Sequence, residues 1–199
     1  MLDEVRFHTV GIEGAMPKSS KRINEFAKAG AISGLLSGAL GGGYWPGIIF
    51  GIALVHSLRR NVKQLSLILQ LVVMGTSSIA WIIGAIMTLL SYRLELGNGL
   101  MAGAVYFALG GGAGALTLWL GTALVCDELR RAEFAISTCL AGAILGAIFG
   151  SLEIYMCYTL RLSTQIAHPI VFTIWQVGIS IVVARNTLLG DATQTLDAR

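Results

Sequence analysis

Glu153 is the only carboxylate well inside a long apolar stretch of this chain, so it is the first place to look for chemistry. A carboxylate taken out of water must find a cationic or hydrogen-bonding partner, hold a cation, or take up a proton. Two roles follow: a proton or cation site, or a partner for Arg161, His56 or a glutamine that holds two helices together. Gln176 stands at the centre of the last apolar stretch and is expected to hydrogen-bond across a helix interface. His56 and His168 fall at the ends of apolar segments, where contact with headgroups or an aromatic belt is expected. Cys126, Cys139 and Cys157 show neither CxxC nor Cys/His ligand spacing. They read as small apolar residues, with a Cys126–Cys139 disulfide as the alternative. The chain contains no HExxH, DxD, GxSxG or phosphate-loop pattern, so no catalytic residue, metal site or cofactor is expected.

The elements that position Glu153 and Gln176 are set by composition. Of 199 residues, 55% are hydrophobic and only 13% charged, where a soluble domain carries roughly 25% charged residues. Of the 25 glycines all but Gly11, Gly14, Gly97 and Gly190 lie inside the apolar stretches rather than in linkers, which is how membrane helices use glycine. The net charge of +3 is spread over the ends of apolar segments, with no basic face carrying aromatic readers, so nucleic acid is not an expected partner. The polar stretch 1–28 has no apolar run of the kind a secretory signal needs. Its Asp3, Glu4 and Glu13 argue against a cleaved mitochondrial presequence. Within it, residues from Ser20 are expected to form a short interfacial helix, with Ser19 or Ser20 as N-cap.

The expected fold is an all-α polytopic membrane bundle over 29–189, with 190–199 as a short polar tail. Apolar segments read 29–58, 66–90, 99–126, 134–160 and 167–189, each reaching the ~20 residues that cross a bilayer. Short loops make consecutive helices antiparallel neighbours. Segment 29–58 is interrupted by GGGYWPG and has two readings. As one helix kinked at Pro46 it gives five spans and divides Lys and Arg seven against seven. As a hairpin it gives six, and the division becomes twelve against two, with only Arg93 and Arg161 on the outer side. The positive-inside rule favours the hairpin; arms of about 14 residues, ~21 Å, are too short to span unless the hairpin is re-entrant.

The strongest pattern is glycine every fourth residue: Gly30, Gly34, Gly38 and Gly42; Gly142, Gly146 and Gly150; and the shorter Gly110–Gly114 and Gly99–Gly103. Residues four apart share a helix face. A bare face of this kind lets another backbone press close and gain van der Waals contact and Cα–H···O bonds. Tight helix packing is the expected role, and lining a narrow pore or docking a foreign helix is the rival. ALGGG occurs at 39–43 and 108–112, each followed by an apolar run ending in Arg-Arg, and AGAI recurs at 29–32 and 141–144. Low-complexity Gly/Ala helices produce such matches without duplication.

Residues 106–150, YFALGGGAGALTLWLGTALVCDELRRAEFAISTCLAGAILGAIFG, resemble the mitochondrial inner-membrane translocase channel family, which includes a supernumerary membrane-arm subunit of respiratory complex I. The shared features are a YF-led glycine-rich helix with GALT, a short charged loop, and a helix of the form SxxxAGAILGA. The chain departs from the family pattern where AIFGS replaces an Arg-x-Gly, and in having at least one more span. The resemblance implies a glycine-packed, non-enzymatic domain. The leading expectation is therefore a non-catalytic structural subunit of a multi-protein membrane complex, with a mitochondrial respiratory complex as host. Its partners would be other membrane subunits and lipids. The bacterial inner membrane is the alternative location. A small transporter or channel working through Glu153 and the broken 29–58 segment, or a component of an import translocase, is the alternative function.

Overall fold

The computed structural model describes residues 18–40, 45–62, 64–97 and 99–197. Six α-helices run in sequence: α1 Lys18–Ala39, α2 Trp45–Asn61, α3 Leu67–Ser91, α4 Leu100–Val125, α5 Ala132–Ile154 and α6 Thr164–Asp197. No strand occurs among the described residues. Among the described residues four stretches are long and apolar enough to cross a membrane: Leu67–Leu94, Leu100–Val125, Ala132–Thr159 and Thr164–Ala192. Large apolar side chains point outward: Ile136, Leu140, Ile144 and Ile148 of α5 are between 42% and 61% exposed. Gly142, Gly146 and Gly150 are buried on the same helix. Apolar outside and small inside is the arrangement expected of an integral membrane protein, whose outer surface meets acyl chains.

Segment 29–58 is a hairpin, not a kinked helix. Trp45 and Pro46 open α2, and the first arm is longer than expected, because α1 begins at Lys18 and runs unbroken for 22 residues. The expected separate interfacial helix is therefore the first half of α1. It stays with the bundle through Arg22, which donates to Asp191 at 2.6 Å, and Glu25, 3.3 Å from Arg60 at the end of α2. Lys21, Arg22, Arg59, Arg60, Arg130 and Arg131 gather at this basic end, with Arg93 and Arg161 at the other. The expected polar tail is also helix: α6 continues to Asp197, and Gly190 lies 2.6 Å, measured from an added Cβ, from the Glu128 carbonyl oxygen. Gly190 is thus a packing position and not a free one.

Each helix packs antiparallel on the next, and α1 returns to α6, closing a ring. A Cβ added at Gly30 would lie 2.6 Å from the Gln176 carbonyl oxygen, and one at Gly34 or Gly38 would overlap the backbone of Thr173 or Pro169. On α2, Gly47 and Gly51 meet Ser78 and Met74 of α3 at 2.7 and 2.8 Å in the same sense. α4 is approached from two sides. Gly110 and Gly114 face the Gly84 and Ala80 carbonyl oxygens of α3, at 2.5 and 2.9 Å from the added Cβ. Gly142 faces Gly111 of α4 at 2.5 Å, Gly150 faces Gly103 at 2.7 Å, and Gly146 would overlap the Phe107 carbonyl. Gly42 lies outside the described residues, and Gly99 stands in open space ahead of α4, so the Gly99–Gly103 pair forms no contact face. The two ALGGG copies are not equivalent: the first starts at the end of α1, the second lies within α4. All three cysteines are free.

Near the basic end the ring is filled by Phe26, Phe50, Leu54, Leu58, Val73, Leu118, Leu129 and Ile179. Loop geometry fixes the helix ends there. Arg130 Nε donates to the Ala123 carbonyl at 3.0 Å, covering an α4 C-terminal acceptor, and Trp119 Nε1 donates to the Leu129 carbonyl at 2.9 Å. At the other end of the bundle α5 loosens into a π-turn, Tyr155–Thr159, followed by Arg161 at φ 54°.

Gly146→Ala should lower stability by about 1–3 kcal/mol, because the methyl group meets backbone that cannot move aside. Gly75 of α3 has nothing within 4 Å of an added Cβ, and Gly75→Ala should raise stability by about 0.5–1 kcal/mol through helix propensity. Reversible unfolding in mixed micelles measures both. Equal stability of Gly146→Ala and the unsubstituted chain would contradict the packing described here.

Candidate functional site

The antiparallel register of α5 and α6 decides what Glu153 meets. The two helices turn at Leu160–Arg161, and Glu153 and His168 stand equally far before and after it. Glu153 Oε1 lies 3.1 Å from His168 Nε2, with side chains 23% and 25% exposed. Its partner is therefore none of Arg161, His56 or a glutamine, and His168 binds a carboxylate rather than headgroups. Each partner sits beside an irregularity. The π-turn begins two residues after Glu153, and Pro169, inside α6, directly follows His168. Proline removes a backbone donor and a π-turn widens the hydrogen-bond ladder, so both helices are weakened where the pair is held.

The pair borders a cleft of about 390 Å³ between α3, α4, α5 and α6. Along α3 it runs from Tyr92 down to Ala80, about 18 Å at ~1.5 Å per residue. Its aromatic lining is Trp81, Tyr92, Phe107, Phe149, Phe172 and Trp175. Trp81 and Phe172 touch across it from α3 and α6, ring centroids 5.1 Å apart. Elsewhere the wall is backbone: Gly84, Gly110, Gly111, Gly114 and Gly146 all border it. Here the short α2 matters. It begins level with Ser78, so α3 from Gly84 to Tyr92 extends past the hairpin's second arm. The floor is Trp175 packed edge-on against Phe50, at 5.9 Å, with Leu118 beneath.

Gln176 lies below the cleft and belongs to packing. It accepts from the Ser33 hydroxyl at 2.5 Å and donates to Ser37 at 3.0 Å, tying α6 to α1 at 1% exposure. Asn186 ties α6 to α5 in the same way through Ser137 and Thr138. The glycines divide between two roles. Gly30, Gly34, Gly38, Gly142 and Gly150 meet neighbouring helices only, whereas Gly110, Gly114 and Gly146 both pack and border the cleft. His168, Trp81, Phe172 and Trp175 are the site residues that sequence reasoning missed. The equal spacing of Glu153 and His168 about a tight turn was the available signal. Among the described residues no group of three or more His, Cys, Asp or Glu is placed to hold a metal ion. Compared with protein-family models, curated proteins and solved structures, the chain matches none.

Glu153→Gln keeps an acceptor for His168 and should cost under about 1 kcal/mol of stability, whereas Glu153→Leu strips the imidazole of its partner and should cost about 1–2 kcal/mol. Unfolding of both variants in mixed micelles reads the difference. Identical stabilities would show that the contact contributes nothing.

Proposed function

We propose that this chain is a small membrane carrier or channel that takes a solute into the cleft between α3, α4, α5 and α6. The observation that carries the reading is the Glu153–His168 pair opening onto about 390 Å³ of space otherwise lined by aromatic rings and glycine backbone. A carboxylate–imidazole contact that only fastens two helices needs no open volume beside it. Sites for small molecules have this size and this make-up, apolar walls with a few convergent polar groups. Intramembrane ionisable residues mark solute or proton paths more often than they serve packing alone. The irregular backbone at Tyr155–Thr159 and Pro169 gives the pair a means of moving the ends of α5 and α6 when its ligation changes, as interrupted helices do in transporters.

A second reading keeps the expectation drawn from residues 106–150. That stretch forms α4 and α5, whose glycines face one another along the helices. On this reading the chain is a non-catalytic structural subunit of a larger assembly in the mitochondrial inner membrane, respiratory or protein-importing, and the cleft receives a partner's side chains or a lipid.

Two measurements on the chain from native membranes separate the readings. A carrier migrates on a native gel as a monomer or small homo-oligomer. With Cys126, Cys139 and Cys157 replaced by Ala, its Ala85→Cys variant, substituted in the cleft wall, reacts with a membrane-impermeant thiol reagent applied from the Arg93 end, whereas Ile144→Cys on the outer surface does not. Co-migration with a large assembly together with a shielded Ala85→Cys would overturn the carrier reading in favour of the subunit.

A further inference from the structure

We infer that the cleft selects an organic cation with an apolar body, a protonated or quaternary amine carrying one or two rings or short chains. This rests on the solute-cleft reading above and adds the chemistry of the solute. Three observations converge on it. The first is charge: among the described residues of the lining Glu153 is the carboxylate, and none is lysine or arginine. Glu153 meets His168 Nε2 through Oε1 alone, at 3.1 Å, so its second carboxylate oxygen stays available to a cation. The second is the wall. Trp81, Tyr92, Phe172 and Trp175 come from both sides of the cleft, and indole and phenyl rings are the side chains that attract ammonium groups stripped of water. The third is the shortage of neutral hydrogen-bonding groups. The Thr88 hydroxyl donates back to the Gly84 carbonyl at 2.9 Å within α3, and beside it the lining carries only the Tyr92 hydroxyl and the indole N–H groups of Trp81 and Trp175, too few for the several polar groups of a sugar or an amino acid. An anion would meet the carboxylate with no basic side chain to offset it. A fully neutral apolar solute would leave the charged pair without a role.

The selection can be read on the unsubstituted chain in lipid nanodiscs, from the fluorescence of Trp81 and Trp175 in the wall. Three probes of similar shape are compared: benzyltrimethylammonium, the uncharged neopentylbenzene and the anionic phenylmethanesulfonate. Benzyltrimethylammonium should bind saturably and at least tenfold more tightly than neopentylbenzene, and phenylmethanesulfonate should not bind. Glu153→Gln should weaken the cation at least tenfold. His168→Lys, which fixes a positive charge beside Glu153, should abolish its binding. Equal affinity for the cation and neopentylbenzene, or an unchanged affinity in Glu153→Gln, overturns the cation assignment and leaves a solute cleft that selects by shape. Binding of none of the probes also overturns it. In that case a reactive Ala85→Cys preserves the cleft reading, and a shielded one removes both.

Discussion

Inside a bilayer, helices cannot be driven together by excluding water, so they must come close enough for backbone to touch backbone. Every other feature of this bundle depends on that constraint. α4 meets it on two sides, with Gly110 and Gly114 against α3 and Gly111 against Gly142 and Gly146 of α5. The bulk that these helices lack inside is carried outside, where Ile136, Leu140, Ile144 and Ile148 face the acyl chains. α1 and α6 repeat the arrangement through Gly30, Gly34 and Gly38, and add polar links that a dry interior strengthens, Gln176 to Ser33 and Ser37.

The same glycines account for the cleft. Where two helices lie in contact, a missing side chain permits close approach; where a neighbouring helix is lacking, it leaves a hollow floored by backbone. Gly84, Gly110, Gly111, Gly114 and Gly146 border the cleft at the level that α2, starting at Trp45, does not cover. Aromatic rings from α3, α4, α5 and α6 shape the space, and Glu153 and His168 supply its charge. The glycines that border the cleft are therefore packing glycines as well. A substitution such as Gly146→Ala acts on stability and on the cleft together.

The four long helices were legible in the sequence to within a few residues at their starts, because apolar runs of bilayer length bounded by charged loops admit one interpretation. The hairpin of α1 and α2 was half legible. Charge distribution pointed to it, and the objection from arm length bears on spanning rather than on the hairpin: α1 is longer than expected only through its polar first half, α2 has 17 residues, and neither is among the four stretches long and apolar enough to cross. The tail after 189 misled as that polar half did. NTLLGDATQTLD is polar, yet it continues α6, with Gly190 set against Glu128 and Asp191 against Arg22. Glu153 stood out at once as the costly residue. Its partner did not, since His168 becomes a neighbour only through the register of α5 on α6. The cleft was not legible at all: it arises where α2 starts too late to cover α3, a fact of three-dimensional placement that no periodicity encodes.

The account turns on the cleft being an aqueous space rather than a groove for lipid, and a single tryptophan can report which it is. With Trp45, Trp119 and Trp175 replaced by Phe, only Trp81 remains, in the cleft wall. Its fluorescence is then quenched in turn by water-soluble acrylamide and by lipids brominated along the acyl chain, in bilayers of fixed composition. The expected result is strong quenching by acrylamide and weak quenching by brominated lipid. The reverse would mean that acyl chains fill the space between α3 and α6, and that the Glu153–His168 pair serves only to fasten helices.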